Sequence, residues 1–418
     1  MKALIVGLGY VGLPLAREAS YAGVNTFGFD VSPGAVDSLN SGVSYIDDIE
    51  DADVAKMLTN GFRATCDPSI IGDVDVVVIC VPTPLSEEGG PDLQYVRVAG
   101  QTVAEHMRSG TLVILESTTY PGTTEDVLLP ILESRGLIGG VDFNLAYSPE
   151  RIDPGNNVYG AKNTPKVVGG YTSECADAAI AFYDTFVDTT VRTSGTREAE
   201  MAKLLENTYR HVNIALVNEM ARFCHDLGID LWDAIDAAKT KPFGFQAFYP
   251  GPGVGGHCIP IDPNYLSHNV KTQLGYPFRF VELAQEINSR MPLYAVERIQ
   301  DILNNVGMPL KGSVILVLGV TYKSDISDQR ESPAVEVASR LLAKGAVVRY
   351  HDPFVDQWSS VPEAQRVESP LAFVEHADLT VLLQNHSEYD VPAIANASKL
   401  FFDTRGSVVP DQVSSFRL

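Results

Sequence analysis

The segment Gly7-Leu8-Gly9-Tyr10-Val11-Gly12 constrains the fold more than any other part of the chain. It follows a short apolar run, Lys2 to Val6, which predicts a strand, and it opens a stretch with apolar residues at helical spacing, Val11 to Ala22. Thr26 to Asp30 predicts the next strand and ends in a carboxylate, eighteen residues after Gly12. A strand, a glycine turn, a helix and a second strand that ends in an acid predict a β-α-β unit that binds a dinucleotide.

Each glycine of this turn has a physical role in such a unit. Gly7 allows the tight turn, Gly9 lets the backbone approach a pyrophosphate, and Gly12 allows the helix to pack closely. Asp30 can accept a hydrogen bond from a ribose hydroxyl, and it would repel a 2′-phosphate, so the pattern favours NAD over NADP. The alternative is a glycine turn that holds no ligand. Residues expected to contact the cofactor here are Gly7, Gly9, Tyr10, Val11, Gly12 and Asp30.

Further apolar runs at 74–81, 111–116 and 145–147 alternate with helix-like stretches, which predicts a parallel sheet covered by helices on both faces. Polar or proline-containing loops follow these runs, and such sheets bind ligands at the carboxyl ends of their strands. Glu150 in one of these loops is a candidate general base, although an ion pair with Arg151 is an equal alternative. The other loop candidates are Pro82, Thr83, Ser117 and Thr118, for which purely structural loops are the alternative.

The pattern changes to a long helix after about residue 196. Residues 198–227 contain neither Gly nor Pro and carry a wide apolar stripe. Lys203 and Asn207 lie four apart and therefore share a face, where a partly desolvated ammonium can stabilise an oxyanion. A lysine that simply faces solvent is the alternative. A strand-helix alternation returns at Lys311 without a second glycine fingerprint, which predicts three domains, 1–195, 196–300 and 301–418.

The densest motif of the chain extends from Phe248 to Pro263 and has four glycines within residues 251–256. Glycines there permit close ligand contacts that a Cβ would obstruct. Cys258 follows them, with His257 adjacent and Asp262 four residues later, and is a candidate thiolate nucleophile. An incidental loop cysteine is the alternative.

Charge and cysteine content exclude other classes of protein. The formal net charge is −22, which repels a polyanion and argues against nucleic-acid binding. The five cysteines form an odd set without C-x-x-C pairs, which argues against disulfides and a zinc site, and no metal is expected. No run approaches the ~20 apolar residues of a membrane span. The expectation is a soluble, cytoplasmic protein.

Seven motifs follow one another along nearly the whole chain: GLGYVG with Asp30, VPTP, STTYPGTT, SPERIDPG, the Lys203/Asn207 helix, GPGVGGHCIPIDP, and GVTYK with DQRESP. In this order they resemble the UDP-glucose/GDP-mannose dehydrogenase family, closest to the branch acting on UDP-N-acetylhexosamines. The resemblance implies an α/β fold with two Rossmann-like doubly wound domains, joined by a helical domain whose long central helix supports a homodimer or higher homo-oligomer.

The same resemblance implies roles for individual residues. Cys258 would be the nucleophile, Lys203, Asn207 and Asp262 would surround the reacting C6 oxygen, and Glu150 and Thr118 would assist proton movement and water placement. The nucleotide sugar would be held by Lys323 and Arg330 and by the glycine-rich segment. The residues expected to bind substrate are Glu150, Arg151, Lys203, Asn207, Phe248, Tyr249, Gly253, Gly255, Gly256, His257, Lys323 and Arg330.

These residues suit an NAD-dependent four-electron oxidation of the sugar C6 hydroxymethyl through a thiohemiacetal and a thioester. UDP-N-acetylglucosamine is the favoured substrate, followed by UDP-N-acetylmannosamine and UDP-glucose, and the product would enter polysaccharide biosynthesis. A two-electron hydroxyacid dehydrogenase shares the amino-terminal fold but needs no cysteine. A non-catalytic nucleotide-sugar sensor is a third possibility, and it would tolerate the loss of Cys258.

Overall fold

The computed structural model describes residues 1–46, 49–85, 90–151, 158–256, 259–411 and 414–418. These residues form two compact units. Unit 1 comprises Met1–Glu206 together with Asn264–Tyr276, and unit 2 comprises Asn207–Pro263 together with Pro277–Leu418. Each unit contains a sheet built from short apolar strands, so each has a core of its own.

Unit 1 is built on a sheet with the strand order β3-β2-β1-β4-β5-β6-β7-β8 among the described residues. All neighbouring strands are parallel except β6 and β7, which are antiparallel. In this antiparallel pair, Ala146 and Tyr147 of β6 face Gly170 and Gly169 of β7, so the start of β7 lies beside the residues that follow β6. The strands are β1 (Lys2–Val6), β2 (Asn25–Phe29), β3 (Arg63–Thr65), β4 (Val76–Ile79), β5 (Leu112–Leu115), β6 (Asn144–Tyr147), β7 (Lys166–Gly170) and β8 (Thr190–Arg192).

Both faces of this sheet are buried, because alternate residues of each strand point to opposite sides. Ala3 and Ile5 of β1 enter one apolar cluster, whereas Leu4 and Val6 enter the other. The two faces explain why the strands are continuously apolar. The helices of unit 1 are α1 (Gly12–Tyr21), α2 (Pro33–Asn40), α3 (Asp51–Thr59), α4 (Gln94–His106), α5 (Leu129–Leu132) and α6 (Ser173–Tyr183), with single 3₁₀ or π segments at Pro68–Asp73, Thr123–Leu128 and Glu133–Arg135.

Long helices occupy the middle of the chain. The helix α7 (Thr196–Asp226) confirms the predicted long helix and contributes residues to both units. It is followed by α8 (Leu231–Ala238), α9 (Asp262–Leu274) and α10 (Arg279–Asn305). Pro292 lies inside α10 and is buried. No helix in the described ranges is both long and apolar enough to cross a membrane.

Unit 2 contains a second sheet, all parallel, with the order β11-β10-β9-β12-β13-β14 among the described residues. Two parallel sheets and the long α7 confirm the predicted fold class, since βαβ connections place helices against parallel strands. The elements are β9 (Val314–Leu318), α11 (Pro333–Ala343), β10 (Val347–His351), β11 (Gln365–Arg366), α12 (Pro370–Phe373), a 3₁₀ turn (Val374–His376), β12 (Leu379–Leu382), α13 (Val391–Ala397), β13 (Phe401–Asp403) and β14 (Ser415–Arg417).

Candidate active site

The turn between β1 and α1 needs its first and last glycines for backbone packing. Gly7 has a φ of +89°, and a Cβ there would lie 2.8 Å from the carbonyl oxygen of Cys80. A Cβ on Gly12 would lie 1.9 Å from the carbonyl oxygen of Gly7. Gly9 differs, because no atom lies within 4 Å of the position its Cβ would take. The open space at Gly9 leaves the backbone accessible to a ligand.

The surroundings of this turn suit a dinucleotide. The Asp30 carboxylate accepts hydrogen bonds of 2.9 Å from the backbone N–H groups of Leu8 and Ser32, which fix its orientation at the end of β2. The first turn of α1 carries no acidic residue, so its backbone N–H groups can meet a pyrophosphate without repulsion. Tyr10 is exposed and Val11 is partly buried beside them. These groups fit NAD, with Asp30 placed to bind a ribose hydroxyl.

Two further loops of unit 1 are joined to one another at the same edge of the sheet. The Thr83 hydroxyl donates to the carbonyl of Thr118 at 2.8 Å, and the Ser117 hydroxyl donates to the carbonyl of Val81 at 2.7 Å. Pro82 is exposed between them. Because β4 is the parallel neighbour of β1 and β5 is the parallel neighbour of β4, their loops extend the edge that begins at the glycine turn.

Glu200 of α7 holds the second of these loops, a role that the sequence did not reveal. Its fully buried carboxylate accepts from the backbone N–H of Gly122 at 2.5 Å and from the N–H and hydroxyl of Thr124 at 2.9 and 2.7 Å. Burial raises the pKa of Glu200 to about 7, and the Gly122 and Thr124 donors oppose that rise. The sequence signal for this role was an acidic residue three positions before Lys203, among apolar residues of the same helix.

Lys203 and Glu150 form a buried pair in unit 1. The Lys203 ammonium donates to the backbone carbonyl of Glu150 at 2.6 Å and lies 3.5 Å from its Oε2 atom. The two side chains are 6% and 13% exposed, so Lys203 is not the solvent-facing lysine of the alternative interpretation. Burial raises the pKa of the Glu150 carboxyl, while the ammonium groups of Lys203 and Lys166 lower it. A carboxyl with a raised pKa is suited to proton exchange near neutral pH.

Arg151 does not pair with Glu150. Its guanidinium instead binds Glu206 of α7 through hydrogen bonds of 3.3 and 2.6 Å, and it donates to the carbonyl of Pro165 at 2.6 Å. The Glu150–Arg151 ion pair considered in the sequence analysis is therefore absent, and Arg151 instead contacts residues farther away in the chain.

In unit 2, the Asn207 amide donates to the Asp262 carboxylate at 2.6 Å, and both side chains are buried. This bond joins α7 to the first residue of α9, four residues after Cys258. Cys258 and His257 themselves lie outside the described residues.

A second anchor of unit 2 holds the start of the glycine segment. The backbone N–H of Gly251 donates to the Asn218 side chain at 3.0 Å, and the Asn218 amide donates to Asn288 at 2.9 Å. Asn288 in turn donates to the carbonyl of His211 at 3.3 Å. His211 and Asn218 follow the predicted Asn207 by four and eleven residues on the same face of α7, so this spacing was a readable signal for two residues that the sequence analysis did not identify.

The glycine segment packs against the motif that follows β9. A Cβ on Gly253 would lie 3.0 Å from the Pro333 ring, one on Gly255 would lie 2.6 Å from the carbonyl oxygen of Glu331, and one on Gly256 would lie 2.7 Å from the Tyr322 ring. Two motifs more than sixty residues apart in the chain are thereby brought together within unit 2. The close packing explains the glycine density of the segment.

The other expected substrate residues of unit 2 surround these motifs. Phe248 stacks edge-on with Tyr209 at 5.8 Å, whereas the Tyr249 hydroxyl donates to Asp236 at 2.9 Å. Lys323 is partly buried beside Tyr322 in the chain. The Arg330 guanidinium makes bonds of 2.6 to 3.0 Å to the Asp328 carboxylate and is half exposed.

A parallel sheet with a glycine turn after its first strand is typical of proteins that bind a dinucleotide. Three models of the UDP-glucose/GDP-mannose dehydrogenase family match the chain: the NAD binding domain at residues 1–187, the central domain at 197–290 and the UDP binding domain at 316–410. The chain belongs to the UDP-glucose/GDP-mannose dehydrogenase family and is an NAD-dependent nucleotide-sugar dehydrogenase.

Relatives of known function are similar over nearly their full lengths. The UDP-N-acetyl-D-mannosamine dehydrogenase of Pyrococcus horikoshii is 36% identical over 93% of this chain and 90% of its own length. The UDP-N-acetyl-D-glucosamine 6-dehydrogenase of Pseudomonas aeruginosa is 33% identical over 96% of this chain and 94% of its own. The solved structure of UDP-D-ManNAc dehydrogenase from Pyrococcus horikoshii superimposes with a TM-score of 0.88 at 34% identity, covering 100% of this chain and 99% of that one.

Replacing Asp30 with Ala is expected to raise the KM for NAD about tenfold or more, because a charge-assisted hydrogen bond contributes roughly 1.5–3 kcal/mol. The KM for the nucleotide sugar should remain within twofold of the wild-type value. Initial rates at varied NAD test this, with the exposed Asp37→Ala as the matched control. An unchanged KM for NAD in Asp30→Ala would remove Asp30 from the cofactor site.

Proposed function

We propose that this protein oxidises the C6 hydroxymethyl of a UDP-N-acetylhexosamine to a carboxylate and consumes two NAD per sugar. The observation that carries the proposal is the buried pair formed by Lys203 of α7 and Glu150 of the loop after β6. It places a cation beside a carboxyl with a raised pKa. A buried cation can stabilise an alkoxide, and the carboxyl can take up its proton. The oxidation of an alcohol requires a proton acceptor, and a nearby cation lowers the energy of the developing alkoxide.

The chemistry requires that an aldehyde be held between two oxidations. Oxidising a primary alcohol to a carboxylate removes four electrons, and NAD, when bound, accepts one hydride. The Cys258 thiolate adds to the aldehyde carbon to form a thiohemiacetal, and loss of its hydride leaves a thioester. Water then attacks the thioester carbonyl, the C–S bond breaks, and the carboxylate and the cysteine thiol are released.

The remaining roles follow from the properties of each group. Lys203 and Asn207 lie one turn apart on α7 and stabilise the successive oxyanions. Asp262, bonded to the Asn207 amide, orients that amide and a water molecule. Glu150 exchanges the proton of the hydroxyl or of the attacking water, and Thr118 assists in placing that water.

The nucleotide sugar is bound by cationic and backbone groups, because the net charge of −22 opposes a diphosphate. Lys323 and Arg330 supply charge-assisted donors, and Arg151 adds a third cation near Glu150 in the chain. The glycine segment supplies backbone contacts. Its proposed substrate-binding residues are Phe248, Tyr249, Gly253, Gly255, Gly256 and His257.

Two epimers are the principal candidates for the sugar. The 36% identical relative acts, by its name, on UDP-N-acetyl-D-mannosamine, which supports that substrate. The 33% identical relative acts on UDP-N-acetyl-D-glucosamine, the substrate favoured by the sequence motifs. The N-acetylhexosamine class is common to both.

Counting NADH against product tests the proposal. Purified protein is incubated with NAD and, separately, UDP-N-acetylmannosamine, UDP-N-acetylglucosamine, UDP-N-acetylgalactosamine and UDP-glucose, and each sugar product is quantified by mass spectrometry. We expect two NADH per uronate with an N-acetylhexosamine and a kcat/KM at least tenfold lower with UDP-glucose. One NADH per released aldehyde, or a preference for UDP-glucose, would contradict the proposal.

The long helix also supports self-association of the chain. Leu205, Tyr209, Leu216 and Phe223 of α7 are large apolar residues with exposed fractions of 46–64%. Burial of such a face in a homodimer removes apolar surface from water. We propose a homo-oligomer in which α7 contributes to the interface.

A further inference from the structure

Unit 1 contains a second buried ion pair, which lies next to the loop that carries Glu150. Glu116 follows β5 and Lys166 begins β7, and their side chains are 1% and 10% exposed. The Lys166 ammonium lies 2.9 Å from Glu116 Oε1. The Tyr183 hydroxyl of α6 donates to the same carboxylate oxygen. A buried ion pair with an additional hydrogen bond holds its lysine in one orientation.

Lys166 also contacts the loop that carries Glu150. Its ammonium donates to the carbonyl of Pro149 at 3.4 Å, next to the Glu150 carbonyl that accepts from Lys203. The contact exists because β7 is antiparallel to β6, which places the first residue of β7 beside the residues that follow β6. Two lysines from different elements therefore bind two consecutive carbonyls. A small cavity lined by Val11, Glu116, Glu150 and Lys166 connects this cluster with the cofactor turn.

The charged groups that face Glu150 come from several elements. Lys203 of α7 and Lys166 of β7 are cationic, and Glu116 after β5 is anionic. Cys80 after β4 belongs to the same cluster, and burial raises the pKa of its thiol well above the ordinary value, so it stays neutral. Arg151, adjacent in the chain, is bound to Glu206. Removing Lys166 would leave Glu116 and Glu150 as like charges with Lys203 as the nearest cation.

We propose that Lys166, held by Glu116 and Tyr183, is a positioning residue that acts on Glu150 in two ways. Its ammonium group fixes the Pro149–Glu150 backbone, and its positive charge favours the ionised form of the Glu150 carboxylate. This inference rests on the proposed role of Glu150 in proton exchange. Lys166 does not touch the substrate in this scheme, and it acts only through Glu150.

The experiment measures kcat against pH, at saturating NAD and sugar, for Lys166→Met and Lys166→Arg. Loss of a nearby cation disfavours the ionised carboxylate, so the acid limb of the profile in Lys166→Met should move upward by about one pH unit or more. The kcat at pH 7 should fall about tenfold, with both KM values within twofold of wild type. Lys166→Arg should restore the limb, and the exposed Lys162→Met, four residues earlier, is the matched control.

Glu116→Gln supplies a test of opposite sign that does not depend on the folding of Lys166→Met. Removing the anion that faces Glu150 favours its ionised form, so the acid limb should move to lower pH. A limb that stays in place in both variants, even with a lowered Tm, would mean a merely structural pair and would overturn the inference.

Glu150→Gln separates this inference from the proposed function. The acid limb should disappear in that variant, because the titrating group is gone. If it disappears while Lys166→Met and Glu116→Gln leave the wild-type limb unchanged, only the inference about Lys166 fails. If the limb persists in Glu150→Gln, Glu150 is not the titrating group, and both its proposed role and the inference fall.

Discussion

Replacing Cys258 with Ala should lower the rate of carboxylate formation by about 10³-fold or more, because the thiolate that holds the aldehyde as a thiohemiacetal is lost. The first oxidation needs no thiolate and should persist. The variant should therefore form at most one NADH per sugar and release or retain an aldehyde, which a hydrazine reagent traps. Single-turnover measurements of NADH together with mass spectrometry of the protein check this, since the wild type should show a thioester adduct.

One control variant defines what this result means. Cys66→Ala changes an exposed cysteine and should leave both rates unchanged. Cys80 is buried in the core of unit 1, where it packs as a small apolar residue. If Cys258→Ala still makes two NADH per uronate at a rate near that of the wild type, the thioester route is wrong and a hydrated aldehyde must be the second substrate.

Replacing Lys203 with Met should lower kcat about 10²- to 10³-fold, the loss expected when one oxyanion donor is removed from a buried site. Methionine keeps most of the side-chain volume but cannot donate to the Glu150 carbonyl, which accepts at 2.6 Å from Lys203. The KM for NAD should change by less than threefold. Steady-state kinetics and the Tm of the variant measure both effects.

Lys399→Met is the matched control for Lys203→Met. Lys399 is an exposed lysine of unit 2 that lies 3.7 Å from Asp378, and surface ion pairs contribute little to stability. Its variant should keep the wild-type kcat. A Lys203→Met enzyme with kcat within threefold of wild type and an unchanged Tm would show that Lys203 stabilises no charge in the rate-limiting step.

Local features of the fold were predictable because their causes lie within a few neighbouring residues. Gly7 is required by its positive φ and Gly12 by a contact too close for a Cβ, and both requirements are visible in the glycine pattern. The 3.6-residue period of α7 is likewise local. The direction of β7 was not predictable, because β-strand pairing depends on sheet neighbours rather than on the strand's own residues.

Two aspartates in equivalent positions, Asp30 after β2 and Asp352 after β10, show that the local sequence does not predict the partners of a carboxylate. Asp30 accepts from the N–H of Leu8, and Asp352 at the end of β10 accepts from the N–H of Val320 at 2.7 Å. Asp352, however, is fully buried and lies 2.9 Å from Nε2 of His386. The Asp352 carboxylate is already hydrogen-bonded to His386, 34 residues away, and no local sequence pattern predicts that contact.

The sequence by itself determined the cofactor turn, the family and the residue types available for chemistry, because each is written in contiguous motifs. Only the tertiary structure decided which charges meet. Glu150 lies beside Lys203, 53 residues away, rather than Arg151, and Arg151 binds Glu206. Lys166 meets Glu116 because β7 runs against β6. Ion pairs depend on distances of a few ångströms, and chain folding sets those distances independently of separation in sequence.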